Sequence, residues 1–247
     1  VDFKAKSIEI LNQRAAAADL KNIRGIVGKI EDFDKPFDIA LALHACGVAT
    51  DFALQQAKRC RAAYAVCPCC VGNLKYAPPI PPLADTPEHH VVNDHCEALE
   101  SPCGEDDGVA CISEDRVRQN LYATRDLNLD ITAVSHPRSM WLDKLLSTNV
   151  DDAADVYTAL ARAGDIAHGS AHSSTQGVSH THEAVARLCK SHLELDRNMH
   201  MAEADYSTAL MQILLSELTG KGDLLVGVPE EWTTSVGVSD GVLPWSI

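Results

Sequence analysis

Residues 37–75, FDIALALHACGVATDFALQQAKRCRAAYAVCPCCVGNLK, contain two short apolar runs, each ending in a cluster of small, sulfur-bearing or imidazole-bearing residues. The first run, residues 37–43, is apolar except for Asp38. It is too short for a lone helix and has the pattern of a strand buried between helices on both faces. It stops at His44-Ala45-Cys46-Gly47, where Gly47 allows a tight turn and Thr50 and Asp51 are placed to cap a helix. Phe52, Ala53, Ala57 and Cys60 then keep helical spacing, and a second run, residues 62–66, stops at Cys67-Pro68-Cys69-Cys70. This pattern predicts two parallel strands joined by a helix, with both polar clusters at the carboxyl ends of the strands. In open α/β sheets that edge binds ligands.

The remainder of the chain is compatible with this reading. With 247 residues, 46% of them hydrophobic, it can bury a substantial core. No run approaches 18 uninterrupted apolar residues and no signal segment is evident, so the expectation is a cytoplasmic protein without membrane contact. Nine cysteines, an odd number that includes a Cys-Pro-Cys-Cys run, predict reduced thiols rather than a disulfide scaffold. The net charge of −14 is uneven: residues 1–80 carry eleven Lys and Arg against eight Asp and Glu, whereas residues 81–247 carry ten against twenty-seven. That acidity argues against non-specific nucleic-acid binding but leaves room for a local basic groove.

Val1-Asp2 has the character of a strand end, which predicts a chain truncated at its N-terminus. Ile8, Leu11, Ala15 and Leu20 predict an amphipathic helix, and residues 23–30 a strand. Residues 76–108 shift to a proline-rich, acidic composition that predicts a partly disordered surface insertion, followed by a short helix over 113–122. Residues 130–138 fit a short strand broken by Pro137, and 141–146, 153–163 and 183–195 look helical. The Gly, Ser, His and Thr tract at 164–182 reads as a flexible loop, its histidines lacking metal-ligand spacing. Residues 206–215 and 223–228 predict an antiparallel pair at a sheet edge. The domain organisation expected is therefore a core over 1–75, an insertion with loops and helices over 76–180, and a C-terminal helix with an edge hairpin over 181–247.

The string Leu43-His44-Ala45-Cys46-Gly47-Val48-Ala49-Thr50-Asp51, followed by Cys67-Pro68-Cys69-Cys70-Val71-Gly72, resembles the class I S-adenosylmethionine-dependent methyltransferase domain of the kind found in glutathione S-transferase C-terminal domain-containing proteins. It also resembles tRNA 2′-O-methyltransferases that modify the acceptor stem. The resemblance is dense over residues 1–75 and returns at Pro137-Arg138-Ser139, at Asp196-Arg197 and around Lys221-Gly222-Asp223. It implies a Rossmann-like α/β sheet, mostly parallel with an antiparallel C-terminal hairpin, whose first strand and glycine-rich loop precede Val1. It further implies S-adenosyl-L-methionine as cofactor and a methyl acceptor for which RNA is favoured by analogy.

Carried over by position, the resemblance makes Asp2 the acid that holds the ribose hydroxyls, with Phe3 beside the adenine. From position alone, Asp2 is equally well read as a helix cap and Phe3 as a core residue. Gly28-Lys29-Ile30 would run along the adenine edge; Lys29 stands where many relatives carry an acid, leaving the Ile30 backbone as the alternative contact. His44, Ala45, Cys46 and Gly47 would border the methionine moiety. Cys67, Pro68, Cys69 and Cys70 would wall the acceptor pocket.

Methyl transfer from a sulfonium mainly requires the nucleophile to be held in line and water to be excluded. His44 is the candidate general base, because imidazole titrates near neutral pH; a histidine simply packed at a strand end is the competing reading. Small-residue packing ranks first for the cysteines, metal binding second and covalent catalysis third, because the Cys67-x-Cys69 spacing is too short for a zinc knuckle and no second Cys-x-x-Cys completes one. The sequence thus assigns no metal. The alternative function is a non-catalytic interaction module that keeps the methyltransferase fold.

Overall fold

The computed structural model describes residues 1–77, 129–166 except 131, 133 and 150, 180–212 and 222–235. In chain order the elements are α1 (Ala5–Ala17), β1 (Ile39–Ala45), α2 (Val48–Cys60), β2 (Ala63–Pro68), α3 (Met140–Asn149), α4 (Ala153–Ile166), α5 (His180–Ala202), β3 (Tyr206–Gln212), β4 (Asp223–Pro229) and α6 (Glu230–Ser235). The fold is mixed α/β around an open four-stranded sheet in the order β1-β2-β4-β3. β1 and β2 run parallel, joined by α2 as their sequence pattern predicts. β4 is antiparallel to both β2 and β3, so among the described strands it is the one reversed, and it forms the expected hairpin with β3.

β1 departs from its expected surroundings. Its alternation puts Ala40 and Ala42 toward the core, while Ile39, Leu41 and Leu43 on the other face are 60, 77 and 74% exposed. Among the described residues nothing covers that end of the sheet, and the open face continues as an apolar groove past Ala63, Ala65, Ala209 and Val226. Among the described residues, the continuous apolar run is therefore covered on one side only. The opposite face carries the core, where α2 packs on β1 and β2 and α5 on β3 and β4. Leu54, Ala57, Cys60, Val66, Met201 and Leu225 are fully buried there.

Two tyrosines fix this core. Tyr64 of β2 and Tyr206 of β3 stand 5.9 Å apart; the Tyr64 hydroxyl donates to Asn198 Oδ1 at 3.1 Å, and the Tyr206 hydroxyl to the carbonyls of Ala57 and Ala62. Arg61, in the left-handed conformation that ends α2, lies over the Tyr206 ring and pairs with Glu231 through Nε at 2.8 Å and Nη2 at 2.5 Å. Tyr64 leaves no room above Gly227, where a Cβ would enter the ring. Gly227→Ala is therefore expected to lower the unfolding free energy by about 1–3 kcal/mol, as overpacking does. An unchanged urea midpoint would show that the ring moves aside freely.

Several further expectations are corrected. Residues 23–30 do not form a strand; they contribute one parallel bridge, Asp2 to Val27, with hydrogen bonds from Asp2 N–H to Ile26 O and from Gly28 N–H to Asp2 O. Of residues 130–138, Ile131 and Ala133 lie outside the described residues, and the described ones form one antiparallel bridge, Ala77 to His136, ahead of a cis His136-Pro137 bond. Gly164 is inside α4, and residues 180–182 open α5, so both ends of the expected flexible tract are helical. Gly164 allows a close crossing, since a Cβ there would lie 3.1 Å from the Lys190 backbone. The insertion after Ala77, the helix at 113–122 and His168 and His172 lie outside the described residues.

Candidate functional site

Parallel pairing brings the two strand ends side by side. The register runs Ile39 to Ala63 through Leu43 to Cys67, then shifts by one, so that Ala45 faces Pro68. His44 sits in this irregularity with φ at +57°, an exposed left-handed residue on a bulged strand. Non-glycine residues adopt this conformation at a cost of order 1–3 kcal/mol, and such bulges re-aim side chains beside functional sites. Gly47 follows at φ +54° and ψ −129°, a combination suited to glycine, and its N–H donates to Cys70 O at 3.0 Å. That hydrogen bond joins the two ends.

The shifted register also places Cys46 against Cys69, and the two are linked by a disulfide with Cα atoms 5.4 Å apart. This corrects the expectation of reduced thiols throughout. Spacing within Cys67-Pro68-Cys69-Cys70 says nothing of Cys46, which lies 23 residues upstream and arrives only through strand pairing. Among the described cysteines, Cys60, Cys67, Cys70 and Cys189 form no disulfide, and Cys70 Sγ lies 3.4 Å from Cys69 Sγ. Cys67 is not part of this sulfur cluster, and burial raises its thiol pKa against the opposing charge of Lys190.

Behind the strand ends lies a buried ionic network that sequence reasoning did not identify. Thr50 and Asp51 do not cap α2, whose N-cap is Gly47. Instead Thr50 Oγ1 donates to Ala45 O at 2.6 Å, and Asp51, fully buried, receives Arg197 Nε at 3.0 Å and Nη2 at 2.9 Å. Arg197 Nη2 also donates to Gly47 O at 2.8 Å, and Nη1 to Glu194 Oε2 at 3.0 Å. His136 Nε2 lies 3.3 Å and Arg138 Nε 3.5 Å from the Asp51 carboxylate. Burial would raise the pKa of Asp51, but Arg197, His136 and Arg138 outweigh it and hold the group well below the usual carboxylate range. For Glu194 burial prevails over Arg197 and Lys190, and its pKa is raised.

Asp196 completes the anchor: it accepts from Arg138 N–H at 2.7 Å, Ser139 N–H at 2.9 Å and Ser139 Oγ at 2.6 Å. A turn after Pro137 is thereby fastened to α5, and α5 through Arg197 to the turn after β1. The signals for these residues were present in the sequence as Thr50-Asp51, Pro137-Arg138-Ser139 and Asp196-Arg197, but nothing local says that such charges will be buried.

The remaining site residues occupy a separate place. Asp2 Oδ1 accepts from Lys4 N–H at 2.7 Å at the start of α1, and Phe3 is 71% exposed. Lys29 is exposed and 3.9 Å from Glu31. Ile30 O accepts from Gln56 Nε2 at 2.8 Å, which ties this loop to α2. The structure thus brings His44, Ala45, Cys46 and Gly47 together with Cys67, Pro68, Cys69 and Cys70, while Asp2, Phe3, Lys29 and Ile30 stand on the neighbouring loop.

Two strand ends joined across a parallel pair, in a mixed α/β fold, are the setting in which comparison with known proteins becomes informative. Residues 1–77, which include both ends, match the family described as a methyltransferase domain. That match agrees with the resemblance seen in the sequence. The chain is similar to the glutathione S-transferase C-terminal domain-containing protein homolog of Drosophila pseudoobscura pseudoobscura, 26% identical over 92% of this chain and 28% of that protein. It is also similar to the glutathione S-transferase C-terminal domain-containing proteins of Bos taurus and Homo sapiens, each 39% identical over 30% of this chain and 12% of theirs. The chain thus spans less than a third of the length of these relatives. No solved structure matches it. Among the described residues no helix is long and apolar enough to cross a membrane.

Proposed function

We propose that this chain contributes the core of a Rossmann-like class I methyltransferase domain that uses S-adenosyl-L-methionine, with RNA, tRNA foremost, as the acceptor. The observation that carries the reading is the union of the His44–Gly47 and Cys67–Cys70 ends through the Gly47 N–H to Cys70 O bond, inside the segment matched to methyltransferase domains. The reversed strand β4, forming an edge hairpin with β3, supports it.

The residues present fit such a cofactor. A Cβ built on Gly47 or on Gly28 meets nothing within 4 Å, so open space fronts both glycines assigned to the cofactor's path. The cofactor supplies an electrophilic methyl group on a sulfonium. His44 and Cys46 are both exposed, and in this reading the His44 imidazole would take the proton from a hydroxyl nucleophile as its oxygen gains the methyl group. Asp2 would hold the ribose and Phe3 would cover the adenine. Cys67, Pro68, Cys69 and Cys70 would form the acceptor wall.

Calorimetric titration of S-adenosylmethionine and its demethylated product into the full-length protein tests the reading. Binding of both ligands is expected. His44→Ala should keep binding and lower methyl-transfer turnover by about 10²–10⁴-fold, the range for a lost general base. No heat with either ligand would favour an interaction module that retains the fold.

A further inference from the structure

We propose that Cys46, Cys69 and Cys70, when reduced, form a three-thiolate site for one thiophilic divalent cation of the zinc class. The inference is independent of the methyltransferase reading, since it uses only the sulfurs and their supports. Their three Sγ atoms lie within 4.8 Å of one another, with Cys69 and Cys70 at 3.4 Å. Zinc–sulfur bonds of about 2.3 Å place thiolates of a common zinc ion roughly 3.8 Å apart, within the range these sulfurs already span. Reduction of the Cys46–Cys69 bond frees Cys46 to serve as a separate ligand.

The supports are rigid and their charge is favourable. Gly47 N–H to Cys70 O and Arg197 Nη2 to Gly47 O hold the backbone on both sides of the cluster. Cys46 directly precedes the N-terminus of the 13-residue α2, whose partial positive charge favours thiolate over thiol. The fully buried Arg197 adds a cation behind the same turn. Cys69 is buried, Cys70 half-buried and Cys46 exposed, which gives the cation a closed inner side and an open approach for solvent as a further ligand. Thiolate-rich sets select soft or borderline cations over magnesium or calcium. Sequence spacing missed the site because it considered Cys67, which lies outside the cluster, and not Cys46.

The chemistry balances. A phosphine reductant cleaves the disulfide, becoming the phosphine oxide with oxygen from water, and returns two thiols. Cation uptake then replaces the protons of three thiols, which pass to buffer. Metal and disulfide are therefore alternative states of the same cysteines.

The test uses the full chain, reduced with phosphine, freed of metal with chelator and titrated anaerobically with Cd²⁺, then with Zn²⁺ in competition. A thiolate-to-cadmium charge-transfer band saturating at one equivalent is expected, with Cys46, Cys69 and Cys70 protected from alkylation in mass spectra. Cys46→Ser and, separately, Cys70→Ser should weaken uptake by more than about 100-fold, the upper end of what loss of a mere supporting group costs. Thermal unfolding identifies any variant that is simply misfolded. Joint Ser replacement of Cys96, Cys103 and Cys111, which lie outside the described residues, should leave the band unchanged, and unreduced protein should show none. Protection at other cysteines, an unaffected Cys46→Ser variant, or a reduced protein that takes up no cation would overturn the proposal.

Discussion

Arg197→Met lowers the unfolding free energy by about 3–5 kcal/mol, the cost of removing one partner from a buried ion pair. Arg197 is 1% exposed, and its guanidinium bonds to Asp51, to Glu194 and to the carbonyl of Gly47. Methionine replaces the stem of the side chain with an apolar chain but leaves Asp51 and Glu194, both 0% exposed, without their main counter-charge. A well-packed apolar replacement of the whole set is far better tolerated than removal of one member. The triple change Asp51→Leu, Glu194→Leu, Arg197→Met is accordingly expected to recover part of the loss, and urea unfolding of the two proteins measures it. A single variant within 1 kcal/mol of the parent would mean that the network contributes little. The same variant frees the Gly47 carbonyl, so it should also loosen the turn that carries His44 and Cys46.

Acidification is expected to weaken the fold through His200. Burial, together with the nearby cations Arg138 and Lys58, opposes protonation of this imidazole and lowers its pKa from 6.5 to about 3, against a smaller pull from Asp51. A histidine whose folded pKa is depressed contributes stability that is present above its unfolded pKa and is lost as pH falls below it, because unfolding then takes up a proton. Between pH 7 and 4.5 this one group removes about 2.5 kcal/mol by linkage. His200→Gln should flatten that part of the stability profile relative to the parent chain. Parallel profiles for the two proteins would show that His200 reaches solvent before global unfolding. Asp51 acts differently: its pKa is held so low by Arg197, His136 and Arg138 that it stays charged throughout this window.

The sequence made the frame visible and left the long-range contacts hidden. The β1-α2-β2 unit and the β3–β4 hairpin were legible because short apolar runs, small residues at their ends and helical spacing each leave a local signature. Residues 23–30 carry a similar apolar pattern yet form only the Asp2–Val27 bridge, since a strand needs a paired neighbour along its length and the pattern cannot supply one. The run in β1 promised burial on both faces, but Leu41 and Leu43 are exposed, because hydrophobicity reports what a strand could bury and not what covers it.

For the site, the strand-end clusters were legible and their internal partnering was not. Cys46 meets Cys69 through a parallel register displaced by the bulge at His44, which no spacing rule within either cluster encodes. The place of Asp51 just after Gly47 suggests a helix cap, yet the cap is Gly47. The burial of Asp51 against Arg197 depends on α5, which arrives more than a hundred residues later. Charged residues are poor guides to their own burial, because the same side chain is solvated or paired according to what the tertiary fold brings near it.

The most direct test of the account is amide hydrogen exchange of the full-length protein with and without S-adenosylhomocysteine. The account predicts slowed exchange at residues 44–47 and 67–70, with smaller protection at residues 2–3 and 28–30. Ligand-induced protection confined to other segments, with these strand ends unchanged, would contradict it.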